Sequence, residues 1–130
     1  MLLAGTVLLA AGTWITWTGT ARPEVVVARA SVDFGPIAAR RSQDVQIRNA
    51  GRAPLHVLAV TSSCGCTTAR IGAALLPPGS GTQLTITFDP DAHGPDPGPA
   101  QHSVYLRTND RRTPEAEIQV RAVVVKEKTR

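Results

Sequence analysis

From Glu24 onward, apolar residues recur at every second position in short runs separated by turn-forming residues. Val45 and Ile47 alternate with Gln46 and Arg48. Leu84, Ile86 and Phe88 alternate with threonines. Val104 and Leu106, then Ile118, Val120 and Ala122, repeat the pattern. A period of two is that of a strand with one buried face. The stretch from Glu24 to Phe34 predicts a first strand or strand pair, and Phe34-Gly35-Pro36 reads as the turn that closes it. Leu55, Val57 and Ala59 fall on one face and His56, Leu58 and Val60 on the other, which predicts a central strand. Asn49-Ala50-Gly51 and the Pro77-Pro78-Gly79 run supply turns, and the Pro- and Asp-rich stretch from Asp89 to Gln101 reads as a surface loop. No window beyond the first segment carries a helical period. Strands without intervening helices predict an all-β fold, an Ig-like antiparallel β-sandwich of about seven strands.

The first segment is different in kind. Leu2 to Ala21 contains no charged side chain and has about the length of a helix that crosses a bilayer. Trp14 and Trp17, the only tryptophans, lie near its C-terminal end, where amphipathic rings favour the membrane interface. Residues 1–21 are therefore expected to be a transmembrane anchor or a signal segment. The anchor is preferred because the apolar run exceeds a usual signal core and no basic stretch precedes it. Residues 22–125 form the expected sandwich domain and residues 126–130 a charged tail. Arginines follow the apolar run and none precedes it, which by charge alone would hold the domain in the cytoplasm. Export is still the expectation, because long domains translocate largely regardless of charge. No cysteine near the segment offers an acceptor for a lipid anchor.

Composition narrows the partners. Aromatic residues make up 4% of the chain, so the core must be built from Val, Ile, Leu and Ala. The formal charge of +4 is spread thinly, with no basic stripe interleaved with aromatics, and nucleic acid is not an expected partner. The expected partners are the membrane, through residues 2–21, and another envelope protein. The motifs of serine hydrolases, zinc proteases and phosphate-binding loops are absent from the sequence, so neither an enzyme nor a cofactor is expected. Asp89, Asp91 and Asp96 lack calcium-loop spacing and read as turn residues.

Candidate chemistry centres on the only two cysteines, Cys64 and Cys66, separated by Gly65. In an extended strand such a pair stands about 6.6 Å apart, at the upper limit for a disulfide. Gly65 is expected to relieve this by adopting positive φ and bending the chain. Three readings stay open. The pair packs as two small residues at a strand end; it forms a reducible disulfide; or it grips a soft ion such as Cu(I), since the spacing is too short for the usual zinc clip. His56 is a weak candidate for an added ligand. His93 and His102 are further possibilities, each with solvated histidine as the plainer outcome.

Several motifs together carry a resemblance: "VDFGPI" from Val32, "IRNAGRAPLHV" from Ile47, "SSCGCTT" from Ser62, "LPPGSGTQLTITFDP" from Leu76 and "LRTND" from Leu106. In this order they resemble a bacterial family of exported Ig-like domains of unknown function, related to Hydin-like (ASH) sandwich modules. The resemblance covers roughly Val25 to Val125, with the cysteine stretch as its most specific part. It implies a seven-stranded sandwich outside the cytoplasm, with no established activity. Gly35, Asn49, Gly51, Pro54, Gly65, Pro78 and Gly79 are expected to shape turns. The functional expectation is a membrane-anchored, periplasmic interaction or scaffolding module. The alternative is a small envelope protein that uses Cys64 and Cys66 for thiol or copper chemistry.

Overall fold

The computed structural model describes residues 21–94 and 96–126. The expected anchor at residues 2–21 therefore lies outside the described residues except for Ala21, as does the tail beyond Lys126. Among the described residues no helix is long and apolar enough to cross a membrane.

Among the described residues nine strands build two sheets: β1 (Val25–Val27), β2 (Ser31–Ile37), β3 (Arg41–Asn49), β4 (Leu55–Ser62), β5 (Thr67–Ile71), β6 (Leu75–Leu76), β7 (Gly81–Phe88), β8 (Gly98–Thr108) and β9 (Glu115–Val124). One sheet has the order β1-β3-β7-β5 and the other β2-β9-β8-β4-β6. The facing sides bury Val45, Ile47, Leu84, Ile86 and Phe88 from the first sheet against Leu55, Val104, Leu106, Ile118 and Val120 from the second. These are the residues whose alternation marked the strands, so the apolar period is the cause of the core.

The all-β sandwich is as expected, with four differences. Nine strands replace seven, because β1 and β6 are three and two residues long and too short to show a period. The strands are not all antiparallel: β2 pairs with β9 in parallel, since no hairpin ties two strands so far apart in sequence to opposite directions. Gly35 makes no turn. It takes φ 62° inside β2, where the register with β9 shifts between Asp33 and Pro36, and its N–H donates to Asp33 Oδ1. The strand passes through this bulge and buries Ile37. The stretch after Asp89 is no simple loop either. Asp89 caps a short helix, α1 (Pro90–His93), and β8 already begins at Gly98 to pair with β9.

β4 is less central than its pattern suggests. It pairs along its length with β8, but on its other side it meets only β6, at Leu55 and His56. A register irregularity between Val57 and Ala59 leaves Leu58 exposed and turns Val60 towards the core.

The two ends of the sandwich are built differently. One end is closed by Asn49, which is fully buried. Its Oδ1 accepts from the N–H groups of Glu24 and Gly51, and its Nδ2 donates to the carbonyls of Ala53 and Leu76. Four bonds satisfy a side chain that would otherwise be costly to bury. Gly51 lies against the backbone of Arg22 and Glu24, where a Cβ would overlap the Arg22 carbonyl oxygen. The Pro54 carbonyl accepts from Asn109 Nδ2. Pro77-Pro78-Gly79-Ser80 forms a tight turn in which Gly79 takes φ 80° and Ser80 N–H donates to the Pro77 carbonyl. Asn49, Gly51, Pro54, Pro78 and Gly79, the residues expected to shape turns, thus lie together at this end. The cysteines lie at the other.

Candidate metal and thiol site

The loop that carries the chain from β4 in one sheet to β5 in the other holds both cysteines, and they are joined as a disulfide with a Cα separation of 5.2 Å. The chain closes this distance with a turn in which Thr67 N–H donates to the Cys64 carbonyl. Gly65 sits in that turn without positive φ, and a Cβ there would meet nothing within 4 Å. The expected need for glycine is therefore not met: an ordinary turn brings the sulfurs together. Cys66 is 1% exposed and joins the core, whereas Cys64 is half-buried. Cys66 N–H donates to Cys64 Sγ at 3.1 Å.

Neighbouring residues fix this loop. Ser62 Oγ donates to the carbonyls of Cys64 and Thr67. Ser63 is held on β8 in both directions: its N–H donates to the Ser103 carbonyl and its Oγ accepts from Ser103 N–H. That pairing sets the cysteine loop beside His102, the preceding residue on β8. On the other side, Asp89 N–H donates to the Cys66 carbonyl. Asp89 also caps α1 through Oδ1, and its Oδ2 pairs with Arg40 at 3.1 Å. The Arg40 guanidinium holds the Asp89 carboxyl below its ordinary pKa of 3.8. One residue thereby ties the end of β7 to the cysteine loop and starts the helix that delivers His93.

The result is a four-residue cluster. One ligating atom from each of Cys64, Cys66, His93 and His102 lies within 4.8 Å of the others. His93 Nδ1 and His102 Nε2 are 3.3 Å apart. Both rings lie against buried Phe88, with centroid separations of 6.1 and 6.2 Å, so the cluster has an apolar wall. Burial, then the neighbouring His93, lowers the pKa of His102 below 6.5 and favours its neutral form. Neutral imidazole is the form that binds metals.

His56, the histidine singled out as a weak ligand candidate, is not part of the cluster. It is exposed at the opposite end of β4, about 20 Å along the strand, with its N–H on Asn109 Oδ1. Asp91 and Asp96 are exposed and lie outside the cluster.

No curated protein matches the chain by sequence. A Porphyromonas gingivalis W83 protein of unknown function is similar in structure, with 24% identity and a TM-score of 0.73; the likeness covers 85% of this chain and 51% of that one. The chain thus spans about half the length of that relative. The ASH/PapD-like domain 7 of human CEP192 shares 13% identity at a TM-score of 0.55 over 82% of this chain and 89% of that one. The YadV chaperone shares 13% identity at a TM-score of 0.56, over 82% and 54% respectively. These likenesses establish an Ig-like, PapD-like sandwich and bear out the resemblance seen in the sequence. Residues 25–124 match the family described as protein of unknown function (DUF1573), and the chain belongs to that family.

Proposed function

We propose that the chain is a non-enzymatic binding module of the cell envelope, anchored by residues 2–21, that docks an extended segment of another envelope protein along β5. The observation that carries this reading is the free edge of β5. Among the described residues this strand pairs only with β7 and ends its sheet. Asp89 N–H on the Cys66 carbonyl and Gly72 N–H on the Gln83 carbonyl set the alternation of the ladder. Thr68 and Arg70 therefore exchange bonds with β7, and the N–H and C=O groups of Ala69 and Ile71 turn outward. An incoming strand can add to such an edge through its main chain. Beside the edge, a shallow groove lined by Arg40, Ser42, Thr68, Arg70, Thr85 and Thr87 offers polar side chains to the added segment. The opposite sheet's β2 edge is less open, because Gln43 Nε2 and the Arg41 guanidinium donate to the Asp33 and Phe34 carbonyls. The uncharged Leu2–Ala21 run supports anchoring and export.

Site-specific photocrosslinking from Thr68 in intact cells tests the reading. One discrete adduct is expected, and it should vanish in Ala69→Pro, which removes an outward N–H and leaves the β5–β7 bonds in place. Ile71→Pro, which removes the edge's second outward N–H and also leaves the β5–β7 bonds in place, should act likewise if Ala69→Pro lowers the amount of folded protein. An adduct that persists in both folded variants overturns the reading.

A further inference from the structure

We infer that Cys64, Cys66, His93 and His102 form a zinc(II) site that is closed while the cysteines are disulfide-bonded and opens when they are reduced. Two cysteines alone suggest a two-coordinate soft ion, but the fold adds two imidazoles, and two thiolates with two imidazoles in a tetrahedron are a zinc donor set. The spacing agrees. Zinc–nitrogen bonds of about 2.0–2.1 Å at a tetrahedral angle place the two nitrogens about 3.3–3.4 Å apart. His93 Nδ1 and His102 Nε2 are already at 3.3 Å. The ligands also come from three elements that are tied to one another: Ser63 pins the cysteine loop to β8, and Asp89, which caps the helix, donates its N–H to the Cys66 carbonyl. Cys66 N–H on Cys64 Sγ and the Thr67 hydroxyl 3.7 Å from Cys66 Sγ would stabilise thiolate charge, and Phe88 keeps one side dry. Two thiolates neutralise a divalent cation, so the loaded site carries no net charge into this half-buried position.

The opening step is a thiol–disulfide exchange with a dithiol donor. A donor thiolate attacks Cys64 Sγ, the half-buried sulfur, and Cys66 leaves as the thiolate. The donor's second thiol then displaces Cys64 as its own disulfide forms. Two electrons pass to the cysteines and the donor is oxidised by two. Zinc then binds both sulfurs as thiolates, displacing whatever thiol protons remain, and accepts a lone pair from each neutral imidazole.

The test is zinc titration of the purified full chain against a chromophoric chelator, before and after reduction under anaerobic conditions, with Co(II) as a spectroscopic substitute. One equivalent should bind to the reduced chain and none to the oxidised chain, and Co(II) should give the absorption of a tetrahedral thiolate site. His93→Ala and His102→Ala should each weaken zinc at least about 100-fold, because loss of an outer-shell partner alone weakens a metal about 10–100-fold. His56→Ala should leave binding unchanged. Circular dichroism identifies variants that remain folded, and the Co(II) spectrum of the unmodified reduced chain tests the donor set without any substitution. Three results would each overturn the inference: no stoichiometric zinc after reduction, equal binding by the oxidised chain, or zinc affinity unaffected in both folded histidine variants. Retention of Cu(I) without zinc would overturn the tetrahedral assignment as well.

Discussion

His93 Nδ1 and His102 Nε2 meet at 3.3 Å across the end of the sandwich, although one comes from a short helix after β7 and the other from β8. Their closeness has a consequence for stability. Well above pH 6.5, the ordinary imidazole pKa, His102 is neutral in both folded and unfolded chains, so it adds no pH dependence there. Below that value the unfolded chain takes up the proton first, because burial and His93 lower the folded pKa of His102. The contribution of His102 to stability should therefore be full well above pH 6.5 and be lost as the pH drops through that value and below it. Urea unfolding at about pH 8 and about pH 5 reads this, and His102→Gln should flatten the part of the loss that this residue causes.

At the opposite end, Asn49 joins Glu24, Gly51, Ala53 and Leu76 through one buried amide. Asn49→Ala strands two carbonyls and two N–H groups and leaves a hole. A loss of about 3 kcal/mol is expected in denaturant unfolding, the scale for buried polar groups that lose their partners. Asn49→Asp should lose nearly as much, since it keeps the acceptor but removes both donors.

Two loop glycines, Gly51 and Gly65, should behave oppositely. Gly51→Ala drives a methyl group into the Arg22 carbonyl and should lower stability by about 1–3 kcal/mol. Gly65→Ala meets open space at an ordinary φ and should change stability by no more than about 0.5 kcal/mol, with the disulfide still formed. Thermal unfolding together with thiol counting on each variant separates the two cases.

The disulfide spans two positions and closes a very small loop, so its loss returns little entropy to the unfolded chain. Cys64→Ser with Cys66→Ser should cost about 1–2 kcal/mol and leave circular dichroism unchanged. Global unfolding on reduction would show that the bond holds the fold and is not spare chemistry carried by it.

Much of this molecule could be read from its residues. Val45, Ile47, Leu84, Ile86, Phe88, Val104, Leu106, Ile118 and Val120 all point inward as their alternation requires, because the period of two is itself the mechanism that builds the core. The site was legible only in part. Cys64 and Cys66 stood out by spacing, but their partners depended on topology, which pairs distant elements by rules that local pattern does not contain. His102 gave a usable signal: it stands in phase with Val104 and Leu106 and therefore faces inward. His93 gave a fainter one, in Asp89-Pro90, where a capping carboxylate and a first-turn proline start a helix inside an apparent loop. His56 gave no such signal: it lies at the start of β4, and the strand carries it to the end of the sandwich away from the cysteines. Gly65 misled because the cysteine turn uses ordinary backbone angles.

The central claim, that the outer edge of β5 is open for an added strand, is tested most directly by residue-resolved amide hydrogen exchange. In the isolated folded chain the amides of Ala69 and Ile71 should exchange rapidly while those of Thr68 and Arg70, bonded to β7, are protected. In the chain recovered with its crosslinked partner, Ala69 and Ile71 should become protected as well. Equal protection of all four amides in the isolated chain, or no gain at Ala69 and Ile71 with the partner attached, would contradict it.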